Sequence, residues 1–166
     1  MMFALPILGF VTLQRLGELW LTERNTSWLK ARGAVEIGAW HYPFIVILHT
    51  AWLGVLWGMA WDRPANLPLL GVFVALQALR VWVIVTLDGR WTTRIIVLPD
   101  APLVRKGPYR LLSHPNYWVV VGEIAVLPLV FGLPVTALIF SALNAVVLFV
   151  RIRAEDRALG QAAVPA

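Results

Sequence analysis

The sequence predicts an all-α protein, a polytopic membrane helical bundle of about five transmembrane helices. Hydrophobic residues make up 60% of the chain and charged residues only 14%, and the mean hydropathy is +0.76. A soluble core does not bury that much apolar surface. The apolar residues gather in five runs separated by charged, Pro and Gly segments. Nine Trp residues are present, a residue type enriched at the boundary between lipid and water.

Each of the five runs approaches the roughly 20 residues that a helix needs to cross a bilayer. The fourth is the shortest, and at about 1.5 Å per residue it reaches only about 22 Å. We expect it to turn tightly at Gly132-Leu-Pro134 into the fifth run, which makes a helical hairpin. The predicted spans are 3–21, 42–61, 67–87, 117–131 and 134–150 of a single domain, 1–166.

Charge placement orients the predicted spans, because cytoplasmic loops retain Lys and Arg. Eleven of the 14 Lys and Arg residues fall within 24–32, 90–110 and 151–157, and five alternating spans place all three regions on one side. We therefore expect an external N-terminus and a cytoplasmic C-terminus, as in a multi-pass protein of a bacterial inner membrane. This positive face explains the formal net charge of +5 without a nucleic-acid partner.

Residues 105–117 form a basic, turn-rich segment that leads directly into the fourth span. Such a segment combines fixed turns with hydrogen-bonding side chains over a short stretch, which favours the binding of a polar ligand at the membrane edge. We expect the helix to start at Pro115, with Ser113 or His114 as its cap. A helix N-terminus of this kind is also a favourable position for an anionic group.

The loop from 88 to 116 is long, and loops above about 12 to 15 residues without structure of their own are usually functional. We predict short extended pieces at 94–97 and 103–104 on the membrane surface. The segment 98–102 carries two Pro residues and breaks any helix between them.

A second polar cluster, residues 151–157, follows the fifth apolar run. Arg151 and Glu155 are four positions apart and share a helix face, whereas Arg153 is turned away from it. The pair can be an ordinary ion pair that ends a span, or it can hold the polar groups of a ligand.

Charged residues inside the predicted spans indicate a buried pocket or pathway, because an ionisable group at membrane depth is costly unless it faces protein or water. Glu123 lies two turns after Asn116 and can either extend a site or pair with Arg80. Arg15 and Glu18 are three positions apart and are expected to neutralise each other. His41 and His49 lack the spacing of a metal-binding His-Glu-x-x-His helix, so no metal site is expected.

The two polar clusters resemble the motifs of the isoprenylcysteine carboxyl methyltransferase family. Those motifs are Gly-x-Tyr, then (Arg)-His-Pro-x-Tyr, and one helical hairpin later Arg-x-x-x-Glu-(Glu/Asp)-x-x-Leu. Here they read Gly107-Pro-Tyr109, Ser113-His114-Pro115-Asn-Tyr117 and Arg151-Ile-Arg-Ala-Glu155-Asp156-Arg-Ala-Leu159. The resemblance is specific over roughly the C-terminal third, within a motif-bearing part at 88–160.

The resemblance implies a methyltransferase built from membrane helices that takes S-adenosylmethionine from the cytosol through its third loop and C-terminal helix end. Its candidate catalytic residues are Arg151, Glu123 and His114. Its candidate cofactor-binding residues are Gly107, Tyr109, His114, Pro115, Tyr117, Arg151 and Glu155.

The acceptor implied by the resemblance is lipidic and enters from the bilayer. Ser113 stands where many members have Arg, and Glu123 follows the His-Pro-Asn-Tyr run, as in a bacterial branch found beside polyketide synthases. A prenylcysteine carboxylate would need no base. A long-chain phenol or pyrone hydroxyl would benefit from one, such as His114 or Glu123.

Other functions stay open on the sequence. A phospholipid N-methyltransferase and an NADPH-dependent membrane reductase share the general architecture. A small non-catalytic transporter subunit would explain the charges inside the spans but not the two clusters. The chain has no Cys and no Gly-x-Gly-x-x-Gly segment, which excludes thiol catalysis and a Rossmann domain.

Overall fold

The computed structural model describes residues 3–99 and 101–162, without the side chains of 159, 161 and 162. Asp100 of the predicted helix breaker and the side chain of Leu159 lie outside the described residues. The described chain forms five helices and one short two-stranded ribbon, which confirms the predicted all-α bundle. In chain order the elements are α1 Ala4–Lys30, β1 Val35–Ile37, α2 Tyr42–Ala60, α3 Leu67–Leu87, β2 Ile95–Val97, α4 Pro115–Val130 and α5 Pro134–Ala162.

The five helices coincide with the five predicted spans, although two of them are longer. Three stretches of the described residues are long and apolar enough to cross a membrane, namely Ala39–Ala60, Leu67–Arg90 and Pro134–Ala158. The apolar helix Pro115–Val130 is shorter. The chain is thus a membrane protein by its helices, whereas the count of five spans stays a prediction.

Helix α1 continues nine residues beyond the predicted end at 21, because its last two turns pack beneath the third loop. The Asn25 side-chain amide donates to the backbone carbonyls of Asp88 and Trp91 at 3.2 and 2.8 Å. The Thr22 hydroxyl accepts from the Thr93 amide at 3.1 Å. These contacts are polar, so a search for apolar runs ends the helix too early.

The first and third loops pair as an antiparallel ribbon in which Val35 lies opposite Val97 and Ile37 opposite Ile95. The predicted extended piece at 94–97 is confirmed for 95–97, and the pairing places both loops on the same side of the bundle, as the charge pattern predicts. Residues 103–104, the second predicted piece, belong to no strand.

Glu36 in β1 fastens the ribbon to its surroundings through two ion pairs. Its carboxylate oxygens accept from Lys30 and Arg94, each at 2.7 Å. Burial on its own would raise the pKa of Glu36, but the hydrogen bonds from these two cations outweigh it and hold this pKa below its ordinary value.

Helices α3 and α4 approach each other closely at Gly122. A Cβ atom at Gly122 would lie 2.8 Å from the Leu76 methyl groups, so a larger residue would require the Leu76 side chain to shift. At the same end as the α2–α3 loop, the chain turns from α4 into α5 at Gly132, whose φ is +66°. The predicted hairpin of the last two helices is confirmed.

Candidate functional site

The hydroxyl group of Tyr117 joins α4 to α5 at the loop-bearing end of the bundle. It accepts a hydrogen bond from Arg151 Nε at 2.8 Å and donates one to a carboxylate oxygen of Glu155. Arg151 and Glu155 are one turn apart on the same face of α5. Tyr117 and Arg151 are only 8% and 6% exposed, so this bridge fixes both side chains in a largely dry environment.

His114 extends the bridge towards the end of α5. Its ring stacks on Tyr117 with centroids 5.3 Å apart and an interplanar angle of 24°. Its Nε2 lies 3.1 Å from a carboxylate oxygen of Asp156, and its Nδ1 lies 4.0 Å from Glu155. The histidine therefore lies against the turn of α5 that carries Glu155 and Asp156.

Local sequence explains why these rings meet. Pro115 is the first residue of α4, where its fixed φ and missing amide hydrogen suit the helix start. His114 is the residue before it, as predicted, but its ring makes no capping hydrogen bond to the helix. The ring is instead engaged with Asp156, which leaves the helix amide groups free of a side-chain cap.

A polar cavity of about 110 Å³ lies beside this bridge. Its wall combines residues of the third loop with the motif residues of α4 and α5. The side chains that line it are Leu87, Arg90, Trp91, Thr92, Arg94, Ile95, Ile96, Val97, Tyr109, His114, Asn116, Tyr117, Arg151 and Glu155.

Three polar atoms of that wall are buried without a hydrogen-bond partner among the described residues: Trp91 Nε1, Arg94 Nε and Asn116 Oδ1. A buried polar atom without a partner costs about 1 to 3 kcal/mol. These two donors and one acceptor are therefore candidate contacts for a polar ligand.

Tyr109 adds a protonated hydroxyl to the polar cavity. Burial, and then the negative charge of Glu155, raise its pKa far above the ordinary value for tyrosine. The phenol is therefore neutral throughout the physiological pH range and can both donate and accept a hydrogen bond.

A second and larger cavity of about 400 Å³ lies between α1, α2, α4 and α5. Most of its wall is apolar, so it is called the apolar cavity below. Its apolar wall residues include Leu16, Leu19, Ile45, Val46, Leu53, Trp57, Val120, Val147 and Leu148. Leu16 and Leu19 of α1 and Trp57 of α2 are also exposed, so the wall of the cavity reaches the surface of these two helices.

The two cavities share part of their walls. Trp91, Asn116, Tyr117 and Arg151 line both of them, and these four residues are called the junction. The two cavities are therefore adjacent at the junction.

Gly107 and Pro115, both predicted to bind the cofactor, line neither cavity among the described residues. Gly107 has a φ of +56°, and a Cβ atom there would lie 2.6 Å from Thr86 Oγ1. Glycine thus lets the loop backbone lie against the end of α3, which positions Tyr109 two residues later. Both motif residues act on the geometry of the loop rather than on the cavity wall.

Glu123, predicted as a catalytic candidate, is enclosed by positive charge. Its carboxylate accepts from Arg15 at 2.7 Å, from Gln77 at 2.7 Å, and from Arg80 through two hydrogen bonds. It is 1% exposed and is absent from the walls of both cavities. A carboxylate bound by two guanidinium groups is a poor proton acceptor, so this geometry favours pairing over catalysis.

Arg80 also donates to both carboxylate oxygens of Glu18 at 2.9 Å, and Arg15 pairs with Glu18 at 2.9 Å. The predicted neutralisation of Arg15 by Glu18 is confirmed. The four residues form a closed network, called the ionic network below, that links α1, α3 and α4 inside the bundle.

Sequence reasoning missed Trp91 and Arg94 as wall residues of the polar cavity. The Trp91-Thr-Thr-Arg94 segment contains no recognisable motif. Only the length of the loop from 88 to 116 indicated that this region has a function. Asn116 lies within the singled-out segment but had no predicted role. In the described part of the chain, no group of three or more His, Cys, Asp or Glu side chains is placed to hold a metal ion.

Comparison with known proteins gives one family and two relatives. Residues 69–161 match the model of the isoprenylcysteine carboxyl methyltransferase (ICMT) family. A Bacillus subtilis (strain 168) protein named "Uncharacterized protein YpbQ" is 37% identical over 163 residues, which cover 95% of this chain and 97% of the relative. A Haemophilus influenzae (strain ATCC 51907 / DSM 11121 / KW20 / Rd) protein named "Uncharacterized protein" is 25% identical over 152 residues, 87% of this chain and 88% of the relative. No solved structure matches the chain.

Proposed function

This chain belongs to the isoprenylcysteine carboxyl methyltransferase family and is a membrane methyltransferase; from that premise we propose that it uses S-adenosylmethionine to methylate an oxygen atom of a lipidic acceptor. The acceptor carries either a carboxylate, as in a prenylated cysteine, or a ring hydroxyl, as in a long-chain phenol or pyrone. The polar cavity faces the cytoplasm in this proposal, in agreement with the basic residues at that end.

The observation that carries the proposal is the junction. A polar cavity and an apolar cavity share Trp91, Asn116, Tyr117 and Arg151 in their walls. A methyltransferase with a water-soluble donor and a membrane-soluble acceptor requires two compartments of this character that meet at one point.

The polar cavity fits the chemistry of S-adenosylmethionine. Glu155 and the unpartnered Asn116 Oδ1 are acceptors for the hydroxyl and amino groups of a nucleoside. Arg94 and Trp91 offer donors, and Arg90 adds a cation for a carboxylate. The polar cavity, at about 110 Å³, is smaller than typical small-molecule sites of roughly 300 to 1,000 Å³, so the bound cofactor would extend beyond this cavity.

When bound, S-adenosylmethionine supplies an activated methyl group, and the chain has to align the acceptor oxygen and exclude water. Arg151 and Tyr117 are held by their mutual hydrogen bond and can present one face to each cavity. Trp91 is 1% exposed and closes the junction against bulk water. His114 lines the polar cavity only, which favours a role in holding the cofactor over a role as base.

The acceptor reaches the junction from the bilayer in this proposal. We place the opening of the apolar cavity between α1 and α2, where the exposed residues Leu16, Leu19 and Trp57 line its wall. A lipid chain can slide into that opening without crossing water, since its apolar surface stays covered throughout.

Methyl transfer to defined lipids tests the proposal. Purified protein in nanodiscs would be incubated with S-adenosylmethionine carrying a deuterated methyl group and with three separate acceptors: pentadecylphenol, N-acetyl-S-farnesylcysteine and phosphatidylethanolamine. Mass spectrometry should show the label on the phenol or the farnesylcysteine. Label on the amine alone, or on none of the three acceptors, would contradict the proposal.

Arg151→Ala and Arg153→Ala provide a matched pair for this assay. Arg153 is exposed two positions along α5, with its guanidinium over Phe149 rather than at the junction. We expect Arg151→Ala to lose most of the transfer and Arg153→Ala to retain it.

A further inference from the structure

His49 is a polar residue inside the apolar cavity that has no part in the site described so far. It lies on α2 seven residues after Tyr42, so it sits roughly 10 Å into the bundle from the start of that helix. It shares the wall of the apolar cavity with Asn116, Tyr117 and Arg151. An acceptor in the cavity would therefore lie against it.

The tautomer of His49 follows from its one hydrogen bond. Nδ1 lies 2.8 Å from the backbone carbonyl oxygen of Ile45, one turn earlier on α2. A carbonyl oxygen only accepts, so Nδ1 carries the hydrogen and donates it. In the neutral ring Nε2 then has a lone pair, and among the described residues no group donates to it.

The charged neighbours of His49 satisfy one another. Arg15, Glu18 and Arg80 line the same cavity, and Glu123 lies behind them, but all four are joined in the ionic network. That network has no formal net charge, since two cations face two anions. The imidazole lone pair is thus one of the acceptors that the wall of the apolar cavity offers to a bound molecule.

We propose that His49 Nε2 accepts a hydrogen bond from a hydroxyl group of the acceptor and so selects hydroxyl-bearing lipids over carboxylate-bearing ones. A carboxylate has no hydrogen to donate at neutral pH, and its oxygens would face the imidazole lone pair. A phenol or enol satisfies the lone pair and its own hydroxyl at once. This inference rests on the proposed function and assigns His49 as a specificity-determining residue of the same site.

A binding cycle with one variant and one chemical change tests the assignment. The affinities of wild type and His49→Leu would be measured in nanodiscs, by tryptophan fluorescence, for pentadecylphenol and for its methyl ether, pentadecylanisole. We expect His49→Leu to weaken phenol binding about 10-fold and to leave anisole binding unchanged. Equal phenol affinity in the two proteins would overturn the assignment.

Two further variants separate the hydrogen bond from packing. Gln places an acceptor near the position of Nε2, so His49→Gln should recover most of the phenol affinity. Ile47→Val alters an exposed residue of α2 that lines neither cavity, and it should bind both probes as wild type does. A loss in Ile47→Val as large as that in His49→Leu would overturn the assignment.

A measurement on the unaltered protein covers the case in which His49→Leu does not fold. With isotope-labelled histidine, the nitrogen resonance of the unprotonated His49 Nε2 should shift on adding pentadecylphenol but not pentadecylanisole. An unchanged resonance at saturating phenol would overturn the assignment.

S-adenosylmethionine binding would be measured on the same samples. If the wild type binds phenol through His49 but not S-adenosylmethionine, the proposed function fails and the contact itself stands. If it binds S-adenosylmethionine and His49 shows no preference for phenol, the inference alone fails.

Discussion

Tyr117 is the residue on which the geometry of the polar site depends most. Its hydroxyl group is the link between the guanidinium of Arg151 and the carboxylate of Glu155, and its ring supports His114. Hydrogen bonds to charged groups contribute about 1.5 to 3 kcal/mol each. The tyrosine therefore positions three other candidate residues in addition to lining both cavities.

Tyr117→Phe should keep the aromatic ring and remove the hydroxyl group that bridges Arg151 and Glu155. Because Arg151 and Glu155 lose their shared partner, we expect the affinity for S-adenosylmethionine to fall about 10-fold or more. Isothermal titration calorimetry on the purified protein measures this. Tyr42→Phe is the control, since the Tyr42 hydroxyl contacts Thr93 rather than the bridge. Unchanged affinity in Tyr117→Phe would show that the bridge does not shape the cofactor site.

The motif residues could be predicted from the sequence, whereas the rest of the wall could not. Tyr109, His114, Tyr117, Arg151 and Glu155 all line one cavity, although their roles stay predictions. Trp91 and His49 have no neighbouring pattern that marks them. Both are identified as cavity wall residues only from the tertiary structure, because the neighbours that form the wall with them are distant in the sequence.

At the scale of elements, the third loop is held by its backbone as much as by its side chains. Gly107 lies against Thr86 of α3 with a positive φ, and β2 pairs with β1 of the first loop. The helices could be predicted from apolar runs of the right length. The pairing of the two strands could not be predicted, because it joins segments about 60 residues apart and a local sequence pattern does not identify distant partners.

Gly107→Ala should destabilise the protein more than Gly132→Ala. Both glycines have a positive φ, which costs a non-glycine residue about 1 to 2 kcal/mol. At Gly107 an added Cβ would also clash with Thr86 Oγ1, 2.6 Å away. At Gly132 no atom lies within 4 Å of an added Cβ. Thermal unfolding midpoints of the two variants measure the difference. A lower midpoint for Gly132→Ala would contradict the close approach at Thr86.

The ribbon should be sensitive to acid through Glu36. Since its folded-state pKa is lowered by Lys30 and Arg94, the stability it contributes is present above the unfolded-state pKa of about 4.3 and is lost as pH falls through the lower folded value. Wild type should melt above Glu36→Gln at pH 7, and the gap should close below about pH 4. A gap that stays constant with pH would refute this coupling.

At the scale of the whole molecule, the ionic network is the polar centre of an otherwise apolar bundle. Arg80 is 2% exposed and Glu123 1%, so neither charge is stabilised by water. Each depends on its partners, and removal of one partner from a buried pair typically costs 3 to 5 kcal/mol or thereabouts. The network thus holds α1, α3 and α4 in one arrangement around the apolar cavity.

Glu123→Gln should therefore act on stability more than on chemistry. We expect the free energy of unfolding, measured by titration with a denaturing detergent, to fall by about 3 kcal/mol, because Arg80 and Arg15 lose a shared counter-charge. S-adenosylmethionine affinity should stay within about threefold of wild type, since Glu123 lines neither cavity. If Glu123→Gln had wild-type stability but lost most of the methyl transfer, the structural role would be contradicted and a catalytic role supported.

The assignment of the cofactor is tested most directly by a calorimetric titration of the purified protein with S-adenosylmethionine, with NADPH as the comparison ligand. The site described here predicts binding of S-adenosylmethionine only. It also predicts that Glu155→Ala lowers the affinity roughly 10- to 150-fold, because a charge-assisted hydrogen bond is lost, while Glu23→Ala on the exposed surface of α1 does not. Binding of NADPH instead, or wild-type S-adenosylmethionine affinity in Glu155→Ala, would contradict this assignment.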